Sequence, residues 1–110
     1  MKRLALTALP LLTACMSMPP SPSPAYRALG TEPFWSLSID SRNLVFSRPD
    51  AQAVVQPRPR VIIGIAGEIY QTPRINVNIV HGQCTLRGQT YPDKVQVYVD
   101  GTQHEGCGGL

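Results

Sequence analysis

Alternation of apolar and polar residues with a period of two is the feature that most constrains the fold of this 110-residue chain. Trp35, Leu37 and Ile39 alternate with serines and an aspartate, a pattern that is typical of a strand with one buried face. The same pattern recurs over 75–80 and 95–100. Since no window after residue 25 shows helical periodicity with caps, the sequence predicts a domain built from strands.

The sequence predicts about seven short strands that are joined by turns. These strands are predicted over 35–39, 44–46, 60–65, 68–71, 75–79, 95–99 and 102–107. Asp100-Gly101 is a strong hairpin signal, and Pro57-Arg58-Pro59 indicates a strand edge or a loop because proline cannot donate to a central ladder. The predicted fold class is therefore all-β, a small antiparallel β-barrel or sandwich, preceded by a signal peptide and a Pro-rich linker.

The N-terminus has the layout of a secretory signal, with a basic start at Met1-Lys2-Arg3 and an apolar run over 4–14. That run is too short to cross a bilayer as a helix, which needs about 20 residues. Cys15 follows Leu-Thr-Ala and so resembles the lipobox of bacterial lipoproteins, in which the cysteine is acylated and the chain is cut on its N-terminal side. The alternative is an ordinary cleaved signal in which Cys15 is incidental.

Three segments are therefore expected: a signal peptide at 1–14, a lipidated cysteine and Pro/Ser-rich linker at 15–24, and a β domain at 25–110. Four prolines in the linker favour an extended chain, which at about 3.1 Å per residue could hold the domain some 25 Å from the bilayer. A PxxP ligand is the alternative interpretation of this linker. The lipobox resemblance implies the cell envelope of a Gram-negative bacterium, with the domain facing the periplasm, and Met16 after the cysteine favours the outer membrane.

Composition restricts the class of partner. Once residues 1–14 are removed, eight basic residues face seven acidic ones, and the remaining length suits one small domain. No Lys/Arg stripe with interleaved aromatic residues is present, which excludes nucleic acid as the expected partner.

Two of the three cysteines remain after Cys15 is assigned to lipid. In an oxidising compartment Cys84 and Cys107 most simply form a disulfide, which in the chain-entropy model stabilises the domain by roughly 3 kcal/mol. A redox pair or a metal pair is the alternative. However, there is no Cys-x-x-Cys, and His81 and His104 do not complete a ligand set of recognisable spacing.

Gly30-Thr31-Glu32-Pro33-Phe34-Trp35, together with Cys84, Thr90-Tyr91-Pro92-Asp93 and the terminal Gly106-Cys107, resembles an uncharacterised family of bacterial envelope proteins and lipoproteins. The resemblance covers 26–109 and implies a small envelope domain, whose relatives sometimes adjoin lysozyme-inhibitor-like barrels. After Cys84 this chain reads Thr-Leu-Arg-Gly-Gln and lacks the family's acidic segment. Any ligand or cation role of those acids is therefore not carried over.

The run Glu32-Pro33-Phe34-Trp35 has two interpretations. Aromatic rings beside a carboxylate could hold a sugar or a peptide, which makes Glu32, Phe34 and Trp35 possible binding residues. Alternatively, Pro33 fixes the start of a strand and Trp35 fills the core. Trp35 is in phase with Leu37 whereas Phe34 is out of phase, so the alternation favours a core position for Trp35 and an outward position for Phe34.

No catalytic residue, metal ligand or cofactor is predicted. The seven carboxylates are not paired at close spacing, and neither histidine lies beside a serine or cysteine in a nucleophile motif. No phosphate loop or dinucleotide fingerprint is present either.

The function expected from these features is that of a non-enzymatic, lipid-anchored envelope lipoprotein that binds another component or supports the envelope. Its expected partners are the membrane, through acyl chains on Cys15, and an envelope protein or a cell-wall component. The alternatives are an inhibitor of a cell-wall hydrolase such as lysozyme, and a small-molecule or cation binder that uses the barrel mouth.

Overall fold

The computed structural model describes residues 25–110 and confirms the all-β prediction. Its nine strands are β1 (Tyr26–Thr31), β2 (Phe34–Ile39), β3 (Asn43–Arg48), β4 (Ala51–Pro57), β5 (Ile62–Ile63), β6 (Gly67–Gln71), β7 (Ile75–Leu86), β8 (Gln89–Val99) and β9 (Thr102–Gly108). The signal peptide, Cys15 and the linker that are expected over 1–24 lie outside the described residues. Within 25–110 no helix is long and apolar enough to cross a membrane.

All nine strands belong to one antiparallel sheet with the order β4-β3-β2-β1-β9-β8-β7-β6-β5. The first four strands form one meander and the last five form another. The two meanders join where β1 pairs with β9, with Ala28 opposite Gly108 and Leu29 opposite Cys107. The first and last strands of the described domain are therefore neighbours in the middle of the sheet.

A single core fills the space that this curved sheet surrounds. Leu44 and Phe46 of β3 belong to the same buried cluster as Ile75 and Val77 of β7, although four strands separate β3 from β7 in the sheet order. Only a strongly curved sheet brings these residues together, so the arrangement is barrel-like.

The seam between the two sheet edges is bridged by side chains. The guanidinium of Arg58 lies 5.3 Å from the centroid of the Tyr70 ring. The side-chain oxygen of Gln56 on β4 accepts a 3.3 Å hydrogen bond from the backbone N–H of Arg74, in the turn after β6. These contacts hold the two edges side by side without a continuous ladder.

The structure has two more strands than the seven that the sequence predicts, and the additional ones are β1 and β4. The inward positions of β1 include Ala28 and Gly30, which are too small to produce an apolar alternation. β4 is an edge strand with mostly exposed residues, and it ends at Pro57, where the proline cluster indicated an edge. The predicted strand at 60–65 is reduced to two residues, whereas β7 and β8 are longer than predicted.

Alternating strand direction defines two ends of the sheet. At the proximal end are the start of β1, the end of β9 and the turns at 40–42, 64–66 and 87–88. At the distal end are the turns at 32–33, 49–50, 72–74 and 100–101. We use these two names below.

The predicted disulfide is present between Cys84 of β7 and Cys107 of β9, with Cα atoms 5.6 Å apart. β8 lies between these two strands in the sheet. The covalent link therefore spans three strands at the point where the β7–β8 register shifts, between His81 and Cys84.

Candidate functional site

A pocket of about 310 Å³ opens at the distal end, a volume at the lower limit of those that hold small molecules. Apolar side chains form part of it, and charged side chains lie around it. Its lining residues are Phe46, Arg48, Ala51, Gln52, Val54, Arg74, Val99, Asp100, Thr102 and His104. The pocket therefore lies between β3–β4 on one side and β8–β9 on the other, at the mouth of the curved sheet.

His104 is the polar group at the inner part of this pocket. The residue is 8% exposed, and its ring lies 4.9 Å from the Phe46 ring and 6.3 Å from the Trp35 ring, centroid to centroid. Among the described residues no hydrogen-bond partner is found for its ring nitrogens. Burial, and then the positive charge of Arg48, lower the pKa of His104, so the imidazole is neutral at pH 7.

The charged rim has one strongly paired arginine and one loosely paired arginine. Arg74 makes a bidentate pair with Asp100, with N–O distances of 2.9 and 2.8 Å. Arg48 lies only within 3.7 Å of an Asp50 oxygen and makes no comparably short contact in the described part of the chain. The Arg48 guanidinium can therefore bind an acceptor at the pocket mouth.

The structure separates the three residues that the sequence proposes for binding. Trp35 is 1% exposed and packs against Phe46, so its ring lies in the core and not at the surface. Phe34 is 48% exposed, and Glu32 is exposed in the turn between β1 and β2. Of the three, only Glu32 and Phe34 remain at the surface, and Glu32 lies beside Arg48 and His104 in a shallow cleft next to the pocket.

A second polar cluster, at the proximal side of the sheet, was not predicted from the sequence. Asp93 is 6% exposed, and one of its oxygens lies 2.7 Å from Nδ1 of His81 while the other accepts a 2.8 Å hydrogen bond from the hydroxyl of Tyr26. Nε2 of His81 lies 2.8 Å from a carboxylate oxygen of Glu68. Four strands, β1, β6, β7 and β8, are thus joined by one chain of hydrogen bonds.

The electrostatics of this cluster favour a protonated imidazole. Hydrogen bonds to Asp93 and then to Glu68 raise the pKa of His81, because each carboxylate stabilises the imidazolium. Burial, followed by the hydrogen bond to Asp93, raises the pKa of Tyr26. Since both ring nitrogens of His81 face carboxylates on neighbouring strands, the cluster is suited to joining those strands.

Neither a metal-binding cluster nor a second ligand pocket comparable with the distal pocket is found in the described part of the chain. No group of three or more His, Cys, Asp or Glu side chains within 25–110 is arranged to hold a metal ion. A groove of about 500 Å³ follows the outer face of β7 to β9 beside the disulfide, but the polar side chains that line it, such as Asn78 and Lys94, are exposed.

Comparison of the chain with known protein families, curated proteins and solved structures finds no match.

Proposed function

We propose that this protein is a lipid-anchored envelope lipoprotein whose β domain is a non-enzymatic binding module, with the distal pocket as its ligand site. The ligand class is a small molecule with an apolar body and a carboxylate or similar anionic group. The apolar body would lie on Phe46, Val54 and Val99, and the anionic group would reach Arg48.

The buried imidazole of His104 is the observation that carries this proposal. A buried polar group without a hydrogen-bond partner costs stability, and in native structures such groups usually mark a functional site or a bound molecule. Because its neighbours hold it neutral, His104 can donate one hydrogen bond and accept another without charge. A cation is the less suitable ligand here, because Arg48 lies at the same mouth.

Two further observations support the envelope location. The first is the lipobox-like sequence that ends at Cys15. The second is the Cys84–Cys107 disulfide, since disulfides persist in oxidising compartments. The resemblance of Gly30 to Trp35 to the uncharacterised envelope family supports the same location and is part of the proposal.

A titration with hexanoate, followed by amide NMR, tests the ligand site, with hexanol as the neutral counterpart of equal chain length. We expect hexanoate to shift the amides of Phe46, Val54 and His104 and to bind more tightly than hexanol. Arg48→Gln should weaken hexanoate binding several-fold, and Arg27→Gln, an exposed arginine on β1, is the matched control. Equal binding of the two probes, or an undiminished affinity in Arg48→Gln, would contradict the assignment.

Inhibition of a basic cell-wall hydrolase is a second candidate function, favoured by the distribution of charge. Four carboxylates lie at or beside the distal turns, against two arginines, and such a surface suits a basic enzyme. These four residues are Glu32, Asp50, Asp100 and Glu105. A lysozyme activity assay with the wild type and with Glu32→Gln/Glu105→Gln distinguishes this function from the ligand site, since only inhibition predicts sensitivity to the double variant.

A further inference from the structure

The turn between β5 and β6 exposes isoleucines at the proximal end. Ile63 is 77% exposed and Ile65 is fully exposed, while Ile62 beside them is 46% exposed. Contiguous apolar side chains that stand clear of the domain usually mark an interaction site, whereas isolated exposed ones do not. We call residues 62–65 the isoleucine tip.

The isoleucine tip is held in place by hydrogen bonds on both sides. The N–H of Gly64 donates to the carbonyl oxygen of Gly67 at 2.8 Å, which closes the turn. The N–H of His81 donates to the carbonyl oxygen of Ala66, also at 2.8 Å, which fixes the turn to β7. The isoleucines are thus presented by ordered backbone.

The isoleucine tip lies at the end where the chain enters the domain. Tyr26, the first residue of β1, is hydrogen-bonded to Asp93, Asp93 is bonded to His81, and the His81 backbone is bonded to Ala66. These contacts connect the tip to the first strand of the domain, from which the sequence leads back to Cys15. A lipid on Cys15 would therefore tether the domain through its proximal end.

Charge is also distributed unevenly between the two ends. Three exposed arginines lie in or beside the proximal turns: Arg27, Arg42 and Arg87. The carboxylates of that end are less exposed than the arginines: Asp93 is buried, Asp40 and Glu68 are half-buried, and both Glu68 and Asp93 contact His81. The exposed charges of the proximal end are therefore mainly positive.

We propose that the proximal end docks on the surface of an anionic phospholipid bilayer, with the isoleucine tip inserted among the headgroups and the arginines facing the lipid phosphates. Apolar insertion and electrostatic attraction act together at such surfaces, and the combination supports binding that a single apolar contact would not. This inference goes beyond the proposed ligand site. Docking of the proximal end would also orient the domain, with the distal pocket facing away from the membrane.

The test uses residues 15–110 with Cys15→Ser, so that neither the signal peptide nor an acyl chain contributes to binding. The chain is sedimented with phosphatidylglycerol-containing vesicles and with pure phosphatidylcholine vesicles. We expect sedimentation with the anionic vesicles, weakened by salt. In Ile63→Ser/Ile65→Ser, apparent affinity should fall roughly tenfold or more, since such binding scales with the apolar area inserted. Val55→Ser is the matched control, because Val55 is 51% exposed on the wall of β4.

Three results would overturn the inference, provided that circular dichroism shows the variants folded. The first is that the wild type does not sediment with anionic vesicles, and the second is that the tip variant sediments as much as the wild type. The third is that the wild type forms a dimer that the tip variant does not form, which would mean that the tip binds a second copy of the chain. Hexanoate binding is measured on the same samples. Because the tip variant should still bind hexanoate, failure of the membrane inference can be distinguished from failure of the proposed ligand site.

Discussion

The hydroxyl of Tyr26 donates a 2.8 Å hydrogen bond to a side-chain oxygen of Asp93, a residue 67 positions later in the chain. The bond joins the first residue of β1 to β8, and the other oxygen of Asp93 contacts His81 of β7. Burial of Asp93 at 6% exposure shields both contacts from water. The start of the domain is therefore bonded to β8 and, through Asp93, linked to β7, whose His81 N–H is bonded to Ala66 beside the isoleucine tip.

Stability should depend on pH through His81. The pKa of His81 is raised in the folded state, chiefly by Asp93, so its contribution is fully present below the ordinary value of 6.5 and is lost as pH rises through the raised value. We expect His81→Gln to abolish this contribution to the pH dependence of the free energy of unfolding, measured by urea denaturation at a series of pH values. The effect should be small because the imidazole is half exposed.

His104 provides the control for that measurement, because the sign of its contribution is opposite. Burial lowers its pKa in the folded state, so its contribution is present above pH 6.5 and is lost as pH falls through the lowered value. His104→Gln should therefore reduce the loss of unfolding free energy that the wild type shows as pH falls below 6.5. Unchanged profiles in both variants would contradict both assignments.

Loss of the disulfide should be costly. Cys84→Ser is expected to lower the free energy of unfolding by about 2–5 kcal/mol, the range for a native bridge in a small secreted domain. Thiol titration of the denatured, unreduced protein, in which Cys15 is substituted, checks the pairing directly. Two free thiols there would show that the bond is absent in solution.

Replacement of the single tryptophan should be far more damaging than replacement of its neighbour. Trp35→Ala should cost about 3–5 kcal/mol, because it leaves a cavity against Phe46. Phe34→Ala should cost less, since that ring is 48% exposed. Blue-shifted emission and weak acrylamide quenching in the wild type are expected alongside these values. A melting temperature unchanged in Trp35→Ala would disagree with the observed packing.

Release from the membrane fraction is the outcome expected for Cys15→Ser in cells. Cys15 would carry the acyl chains, and the isoleucine tip alone should give only reversible binding, so the variant should wash off in high salt. Intact mass of the wild-type protein provides the check. A mature chain without acyl groups, or with residues 1–14 retained, would refute the lipoprotein proposal.

The local alternation of apolar and polar residues was sufficient to predict the strand-rich fold and the core position of Trp35. The alternation around Trp35, Leu37 and Ile39 correctly indicated a strand with these side chains inside, and all three are buried. β1 was missed because its inward residues include Ala28 and Gly30, and Gly30 must stay small: a Cβ there would collide with the Trp35 indole. Size complementarity between distant residues leaves no periodic signal in one sequence.

The polar clusters could not be predicted from the local alternation of residues, for a different reason. His81 and Asp93 meet because β7 and β8 form a long hairpin that turns at Arg87-Gly88, where both residues have positive φ. Counting back from that turn would have placed His81 near Asp93, within the one-residue shift of the bulge. The bond between Asp93 and Tyr26 depends on the β1–β9 pairing, which no short-range signal indicates.

If the chain is exported as proposed, the disulfide has a consequence for the timing of that export. Cys84 lies in β7, but its partner belongs to β9, the last of the nine strands in chain order. A chain that is translocated from its N-terminus can form this bond only after its final strand has arrived. In the proposed envelope location, oxidation of the pair would therefore report delivery of β9, and a gel shift of blocked thiols during synthesis would measure the time that translocation takes.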